Sequence, residues 1–291
     1  MILTIFTPAY NRAHTLPRTY KSLCNQTCKD FEWLIVDDGS TDNTADLVKG
    51  WISERIIPIR YIYQENQGMH GAHNTAYKNI HTELNTCIDS DDYMPNDAVE
   101  KIISFWSENG CESYSGLVGL DITEDGKVIG TPFPDNQKTV RVGEFYEKGG
   151  SGDKKLVYRT DIINSVPEYP VFKGEKYIGL AYKYLLVEQK YEMLVMNEPL
   201  VVVEYQEDGS SNNMYRQYWK NPNGWVFYRR FEMKVSRSLK RKFKVCVHYV
   251  AACIHAGRLR EVINCPLPLL SLIALPFGIG WYLYVKNKNR C

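Results

Sequence analysis

Ile35-Val36-Asp37-Asp38-Gly39-Ser40-Thr41-Asp42-Asn43-Thr44 runs from β-branched residues straight into two carboxylates and a glycine, and N-cap residues then open a helical pattern over 44–52. This predicts strand, turn and helix. The same grammar recurs on both sides. Leu3–Thr7, Glu32–Val36, Ile59–Tyr63 and Asn85–Ile88 are short apolar or β-branched runs, and helical patterns fill Leu16–Cys24 and Ala72–Ile80. The order β-α-β-α-β-α-β predicts an α/β fold: a Rossmann-like, mostly parallel central sheet with right-handed crossovers and helices on both faces. Ligands of such sheets bind beyond the carboxyl ends of the strands.

Four segments stand at those ends: Thr7-Pro8-Ala9-Tyr10-Asn11-Arg12, Asp37-Asp38-Gly39-Ser40, Gln64–Gly68 and Asp89-Ser90-Asp91-Asp92. Alternation along an extended chain puts Asp89 and Asp91 on one side. Carboxylates this close repel unless a cation neutralises them, and an oxygen-only set suits Mg²⁺ or Mn²⁺ shared with a diphosphate. The plainer alternative is a polar turn in which Asp92 caps the following helix. After the second strand, one carboxylate of Asp37-Asp38 can accept a hydrogen bond from a nucleotide base or ribose. Gly-x-Gly-x-x-Gly, Walker A, Gly-x-Ser-x-Gly and His-Glu-x-x-His are all missing, which removes the usual dinucleotide, P-loop, serine-hydrolase and zincin readings.

The whole chain has 291 residues, 44% hydrophobic and 24% charged, with a net charge of +1. This is globular composition, and its balance argues against a protein that wraps nucleic acid. Eight cysteines without a Cys-x-x-Cys pair argue against structural zinc. Cysteines inside apolar runs, and an N-terminus that enters a strand without a basic leader, predict a reduced, cytoplasmic protein. Downstream lie a helix over 96–109 after Pro95 and short strands over 116–121, 127–129, 139–142 and 156–158. Between 131 and 153 the chain is rich in Gly, Pro, Asp and Lys and predicts mobile loops.

In order and together, Thr7–Arg12, Glu32–Thr44, Gln67–Asn74 and Ile88–Asp92 resemble the family 2 glycosyltransferases of bacterial surface-polysaccharide synthesis, which have the GT-A fold. The resemblance covers residues 1–205. It implies a nucleotide-sugar-binding half over 1–110, an acceptor-binding half over 111–205, and a separate helical region over 206–291. The implied activity is metal-dependent, inverting transfer of a hexosyl or N-acetylhexosaminyl group from a nucleoside diphosphate sugar, a UDP-sugar, to a glycan or lipid-linked glycan. The resemblance assigns Thr7, Pro8, Ala9, Tyr10, Arg12, Asp38, Gly71, Asn74, Asp89 and Ser90 to the nucleotide. Tyr10 would flank the base, Asp38 would accept from uracil N3–H, and Gly71 would permit close backbone approach. Asp91, with Asp89, would hold Mn²⁺ or Mg²⁺; His70 and His73 are assigned to structure.

The implied general base is Glu175, in Phe172-Lys173-Gly174-Glu175-Lys176-Tyr177 ahead of a helical run to Glu188. Family members often carry an acid where Lys176 stands, which leaves Asp153 open as the base and a first-turn, exposed acid open as Glu175's role. The segment 149–154 reads as a substrate-closing loop or as a surface connection. Two other functions fit the same acids: nucleotidyl transfer, and non-catalytic glycan binding by a degenerate transferase fold.

The last third changes character. Arg229–Lys244 holds eight basic residues against Glu232, and Pro266–Val285 is uncharged between Arg258, Arg260 and Lys286, Lys288, Arg290. Twenty such residues suffice to span a bilayer, although three prolines argue against a straight span. An interfacial anchor or packing on protein are the other readings. The favoured expectation is peripheral association with the anionic cytosolic face of the inner membrane.

Overall fold

The computed structural model describes residues 1–204 and 214–289. The chain divides into two compact units, Met1–Glu168 with Val187–Gln206 and Tyr169–Leu186 with Glu207–Cys291. Residues 169–186 therefore group with the C-terminal region, not with the 111–205 half. The boundary drawn at 205/206, and Arg290, lie outside the described residues.

The first unit is built on strands β1 (Leu3–Ala9), β2 (Phe31–Asp37), β3 (Ile59–Tyr63), β4 (Leu84–Cys87), β5 (Tyr114–Ile122), β6 (Thr139–Val140), β7 (Lys154–Arg159) and β8 (Glu192–Val202). They form one sheet in the order β3-β2-β1-β4-β7-β5-β8-β6. The left half, β3-β2-β1-β4, is parallel, with Ala9 opposite Asp37 and Asp37 opposite Tyr63. That register sets the ends of β1, β2 and β3 in one line. Every residue of β1 is buried, as expected of an inner strand covered on both faces. Helices α1 (Leu16–Cys24), α2 (Thr44–Glu54), α3 (Met69–Asn79) and α4 (Ala98–Asn109) supply the crossovers. Trp33, fully buried, stacks on Trp51 at 5.8 Å, and Tyr20 stacks on Trp51 at 4.3 Å.

The right half departs from the pattern. β7 runs antiparallel to both β4 and β5, while β5 and β8 are parallel to each other. β8 carries no clear strand signal in the sequence, because Asn197-Glu198-Pro199 breaks its alternation. The strand tolerates Pro199 at a register shift opposite Leu120. Lys127–Ile129 forms only a single bridge, Val128 to Ile122. The expected strand over 139–142 stops at Val140, and helix α5 (Val142–Glu147) follows. Helix α6 (Thr160–Ser165) continues directly from β7.

The second unit is helical: α7 (Ala181–Val187), α8 (Met214–Lys220), α9 (Pro222–Val235), α10 (Leu239–His255), α11 (Pro268–Ile273) and α12 (Leu275–Lys288). Trp225, Cys246, Tyr249, Val250 and Cys253 form its core. The basic run 229–244 is split between α9 and α10, and two of its arginines are structural: Arg229 and Arg241 both pair with the buried Glu232. The uncharged stretch 266–285 is likewise split, with a proline in the first turn of both α11 and α12. Among the described residues no helix is long and apolar enough to cross a membrane.

Candidate functional site

The carboxyl ends of β1, β2 and β4 and the turn after β3 meet at one edge of the first unit's sheet. The turn after β1 is fixed by Asn11, held at φ 55° in the left-handed region. Its N–H donates to Ser40 Oγ at 2.9 Å and its Oδ1 accepts Thr41 N–H at 2.8 Å. The Arg12 N–H donates to Thr44 Oγ1 at 3.1 Å. These bonds lock the first two strand-end loops together and leave the Tyr10 ring 50% exposed. Thr7 faces the other way: it is fully buried and accepts Trp33 Nε1–H at 2.9 Å. Pro8 and Ala9 are buried too. The side chains this loop offers to a ligand are those of Tyr10 and Arg12.

The two neighbouring aspartates do different work. Asp37 is fully buried and accepts from Ser40 N–H at 2.7 Å and Tyr61 O–H at 2.5 Å; burial, then this bond, pushes the Tyr61 pKa up. Asp38 accepts from Gln64 Nε2 at 2.6 Å and from the backbone N–H groups of Gln67 and Gly68, both at 2.8 Å. It therefore shapes the loop that opens α3. Asp38→Ala would strand two backbone donors, each costing about 1–3 kcal/mol when buried. The expected result is a lower urea midpoint together with weakened nucleotide binding, read by denaturation and calorimetry.

In α3, a Cβ on Gly71 would lie 2.4 Å from Gln67 Cβ. The close approach that Gly71 permits in this structure is that of Gln67, in the loop Asp38 organises. Asn74 is buried further along the helix. His73 packs edge-on against Phe6 at 5.0 Å, with Nε2 3.7 Å from Cys87 Sγ, a core position.

The acid cluster follows β4. Asp89 and Asp91 are half-buried, whereas Ser90 and Asp92 are buried. Burial and then the Asp89 charge push the pKa of both Asp91 and Asp92 up. Asp92 does not cap α4, whose N-cap is Asp97. Instead its Oδ1 accepts Glu204 N–H at 3.2 Å, and its carbonyl accepts Thr19 O–H at 2.7 Å. Arg18 of α1 donates to the Asp91 carbonyl, pairs with Glu204 and lies 4.9 Å over the Tyr93 ring.

Two further charged groups reach this edge without having been singled out in the sequence. Lys155 donates to the Cys87 carbonyl at 3.0 Å. Burial opposes its charge, but Asp121 and Asp89 outweigh this and push its pKa up to about 12. Asp121, near the end of β5, is 3% exposed; burial pushes its pKa up to about 6 despite Lys155, and its Oδ1 has no hydrogen-bond partner. Because β7 is antiparallel, its first residues, not its last, arrive beside the end of β4. A Lys-Lys pair opening a strand was the available signal.

The preceding loop is fastened rather than open. Lys154 Nζ donates to the carbonyls of Ile129 at 3.0 Å and of Ser151 and Asp153 at 3.1 Å. Gly130, at φ 72°, crosses Ser151 so tightly that a Cβ there would lie 2.1 Å from the Ser151 carbonyl oxygen. Asp153 is left exposed at the strand's start.

Glu175 lies in the second unit and is 7% exposed. Its Oε1 accepts from Asn223 N–H at 2.9 Å and Asn223 Nδ2 at 2.7 Å, and its Oε2 from Gly224 N–H at 2.8 Å. It thus binds the start of α9, where backbone donors are otherwise unpaired. The picture of an exposed acid in its own helix's first turn is corrected, since that helix, α7, begins only at Ala181.

Among the described residues no group of three or more His, Cys, Asp or Glu side chains is arranged to hold a metal. The Asp89–Asp91 pair still fits a hard cation that completes its shell with phosphate and water, because its donors are oxygens alone and their charges repel.

Residues 4–161, more than half of the chain, match the family described as Glycosyl transferase family 2. The chain belongs to that family. The match takes in every strand-end acid from Asp37 to Asp153. Among curated relatives of this glycosyltransferase family, the putative teichuronic acid biosynthesis glycosyltransferase TuaG of Bacillus subtilis is 34% identical over 136 residues, covering 45% of this chain and 53% of TuaG. Such matches span less than two thirds of the relatives' lengths. Among solved structures, Staphylococcus aureus TarS 1–349 superposes with a TM-score of 0.60 at 17% identity, over 100% of this chain and 91% of that one. The mannosyltransferase PcManGT of Pyrobaculum calidifontis, in complex with GDP-Man and Mn²⁺, gives a TM-score of 0.59 at 14% identity, over 98% and 82%. The GT-A fold expected from the sequence is the fold observed.

Proposed function

We propose that this chain transfers a sugar, with inversion, from a nucleoside diphosphate sugar, a UDP-sugar, to a glycan or lipid-linked glycan at the cytosolic face of the inner membrane. The observation that carries this reading is the convergence, on one sheet edge, of an exposed Tyr10, the loop organised by Asp38, and the Asp89–Asp91 pair. TarS has been crystallised with UDP and with UDP-GlcNAc, which supports a uridine nucleotide. In this reading Tyr10 flanks the base, and the 64–74 segment brackets ribose and diphosphate.

Asp91 and Asp89 hold the divalent cation, Mn²⁺ or Mg²⁺, whose chemistry when bound is to stabilise charge on the departing diphosphate. Lys155, tied to the Cys87 carbonyl, keeps the acid loop in place. The acceptor hydroxyl's proton goes to Glu175, whose carboxylate the α9 backbone orients, with Asp153 as the competing base.

A panel of nucleotide sugars assayed with and without EDTA tests this. The expected product is nucleoside diphosphate, and EDTA stops its release. Pyrophosphate release would make the chain a nucleotidyltransferase, and tight UDP binding without turnover would make it a glycan-binding scaffold.

A further inference from the structure

Helices α11 and α12 are built inside out for a water-facing surface. Their hydrogen bonding runs on through Ala274, with Ala274 N–H donating to the Leu270 carbonyl and Gly278 N–H to that of Ala274. Ser271, Ala274, Gly278 and Val285 repeat at helical spacing and are all buried. Gly278 packs so closely that a Cβ would meet Val250 Cγ1 at 2.4 Å. The hydroxyl of the segment's one serine thus points inward, lying 3.2 Å from Cys265 Sγ. Outward stand Leu269, 76% exposed, Ile273, 63%, and Phe277, 60%. A soluble surface places its serine outside and its leucines inside.

Charge surrounds this strip. Phe277 meets Phe243 of α10 at 5.6 Å, which brings the start of α10 alongside, with Leu239, Lys240 and Lys244 all exposed. Residues 214–289 contain fourteen Lys and Arg against two acids, a formal charge of +12, although the whole chain carries +1. Both acids are occupied within the unit: Glu232 by Arg229 and Arg241, and Glu261 by Arg230 and Arg258. Within 214–289, then, neither acid is left unpaired to oppose an anionic surface.

The geometry points to the outward face of α11–α12, with the start of α10, as a surface that lies flat in an anionic lipid bilayer, its apolar side chains among the acyl chains and its lysines at the headgroups. A protein partner would not need so one-sided a charge, and among the described residues no helix is long and apolar enough to cross. Tyr284, exposed on α12, suits the headgroup zone. The inference deepens the membrane clause of the proposed function and needs nothing from the donor chemistry.

The test is co-sedimentation of the full chain with phosphatidylcholine vesicles with and without phosphatidylglycerol. Binding is expected only with the anionic lipid and weakens with salt. Leu269→Asp/Ile273→Asp should lower the partition coefficient by about tenfold or more, with an unchanged melting curve. Lys240→Glu/Lys244→Glu should weaken binding to anionic vesicles in particular. Equal binding by parent and Leu269→Asp/Ile273→Asp would overturn the inference. So would a parent that ignores vesicles, whether it stays monomeric or forms a dimer that this variant dissociates. UDP release is scored separately, so a parent chain that ignores vesicles yet releases UDP overturns this surface and leaves the transferase reading standing.

Discussion

Asp91→Asn is expected to lower turnover on the order of 10²- to 10³-fold, the range typical when one electrostatic stabiliser of a developing charge is removed. The thermal midpoint should stay the same or rise. The two halves of that expectation have one cause. Asp91 is half-buried beside Asp89, and burial together with that neighbouring charge disfavours its ionised form. At neutral pH the folded chain therefore carries a repulsion that the unfolded chain does not. Asparagine keeps the shape and removes the repulsion, so folding loses nothing. The carbonyl of residue 91 still accepts from Arg18, and Asp92 still accepts from Glu204, so the loop's fastening survives. Paired Mn²⁺ titration calorimetry and a steady-state assay check this: Mn²⁺ affinity and kcat should fall together while the melt does not. A variant as fast as the parent would remove Asp91 from the chemistry.

The left half of the sheet was legible because its strands are parallel. There each strand ends at the ligand edge, so the residues after Ala9, Asp37, Tyr63 and Cys87 are the ones to inspect, and their polar character stands out against buried strands. The rule stops working at β7. An antiparallel strand reaches the same edge with its first residues, and for that reason Lys155 escaped notice even though it sits against four acidic or thiol groups. Asp121 escaped for a different reason. Its strand was expected, but a lone acid in Gly119-Leu120-Asp121-Ile122 carries no signal until a buried, partnerless Oδ1 shows where it stands. Sequence placed Asp38 at the site and missed its hydrogen bonds, because its three partners lie 26 to 30 residues further along the chain. In the tail, composition foretold both the basic run and the apolar run. It did not reveal that Ser271 faces inward, beside Cys265, while Leu269 and Leu272 face out, which depends on how the helix packs.

Glu175→Gln separates a structural carboxylate from a chemical one. Glutamine can still accept from Asn223 with its oxygen, but its Nε2 then confronts the Gly224 N–H, donor against donor, where Glu175 Oε2 now accepts at 2.8 Å. One buried donor is left unmet, at about 1–3 kcal/mol. The melting temperature should fall by about 5 °C, leaving the protein folded at 20 °C. At that temperature a role confined to holding α9 predicts kcat close to that of the parent. A general base predicts a loss of about 10²- to 10⁴-fold in kcat with little change in donor KM. We expect the second, with Asp153→Asn within a few-fold of the parent, since Asp153 is exposed and the loop around it is held by Lys154 and two glycines rather than by its own carboxylate. The reverse outcome, a folded and active Glu175→Gln beside an inactive Asp153→Asn, would move the proton to the carboxylate that opens β7, next to the acids of β4. Assays at several pH values add a further check: the variant that has lost its base should also lose the acid limb of the kcat/KM profile, which a merely destabilised protein keeps.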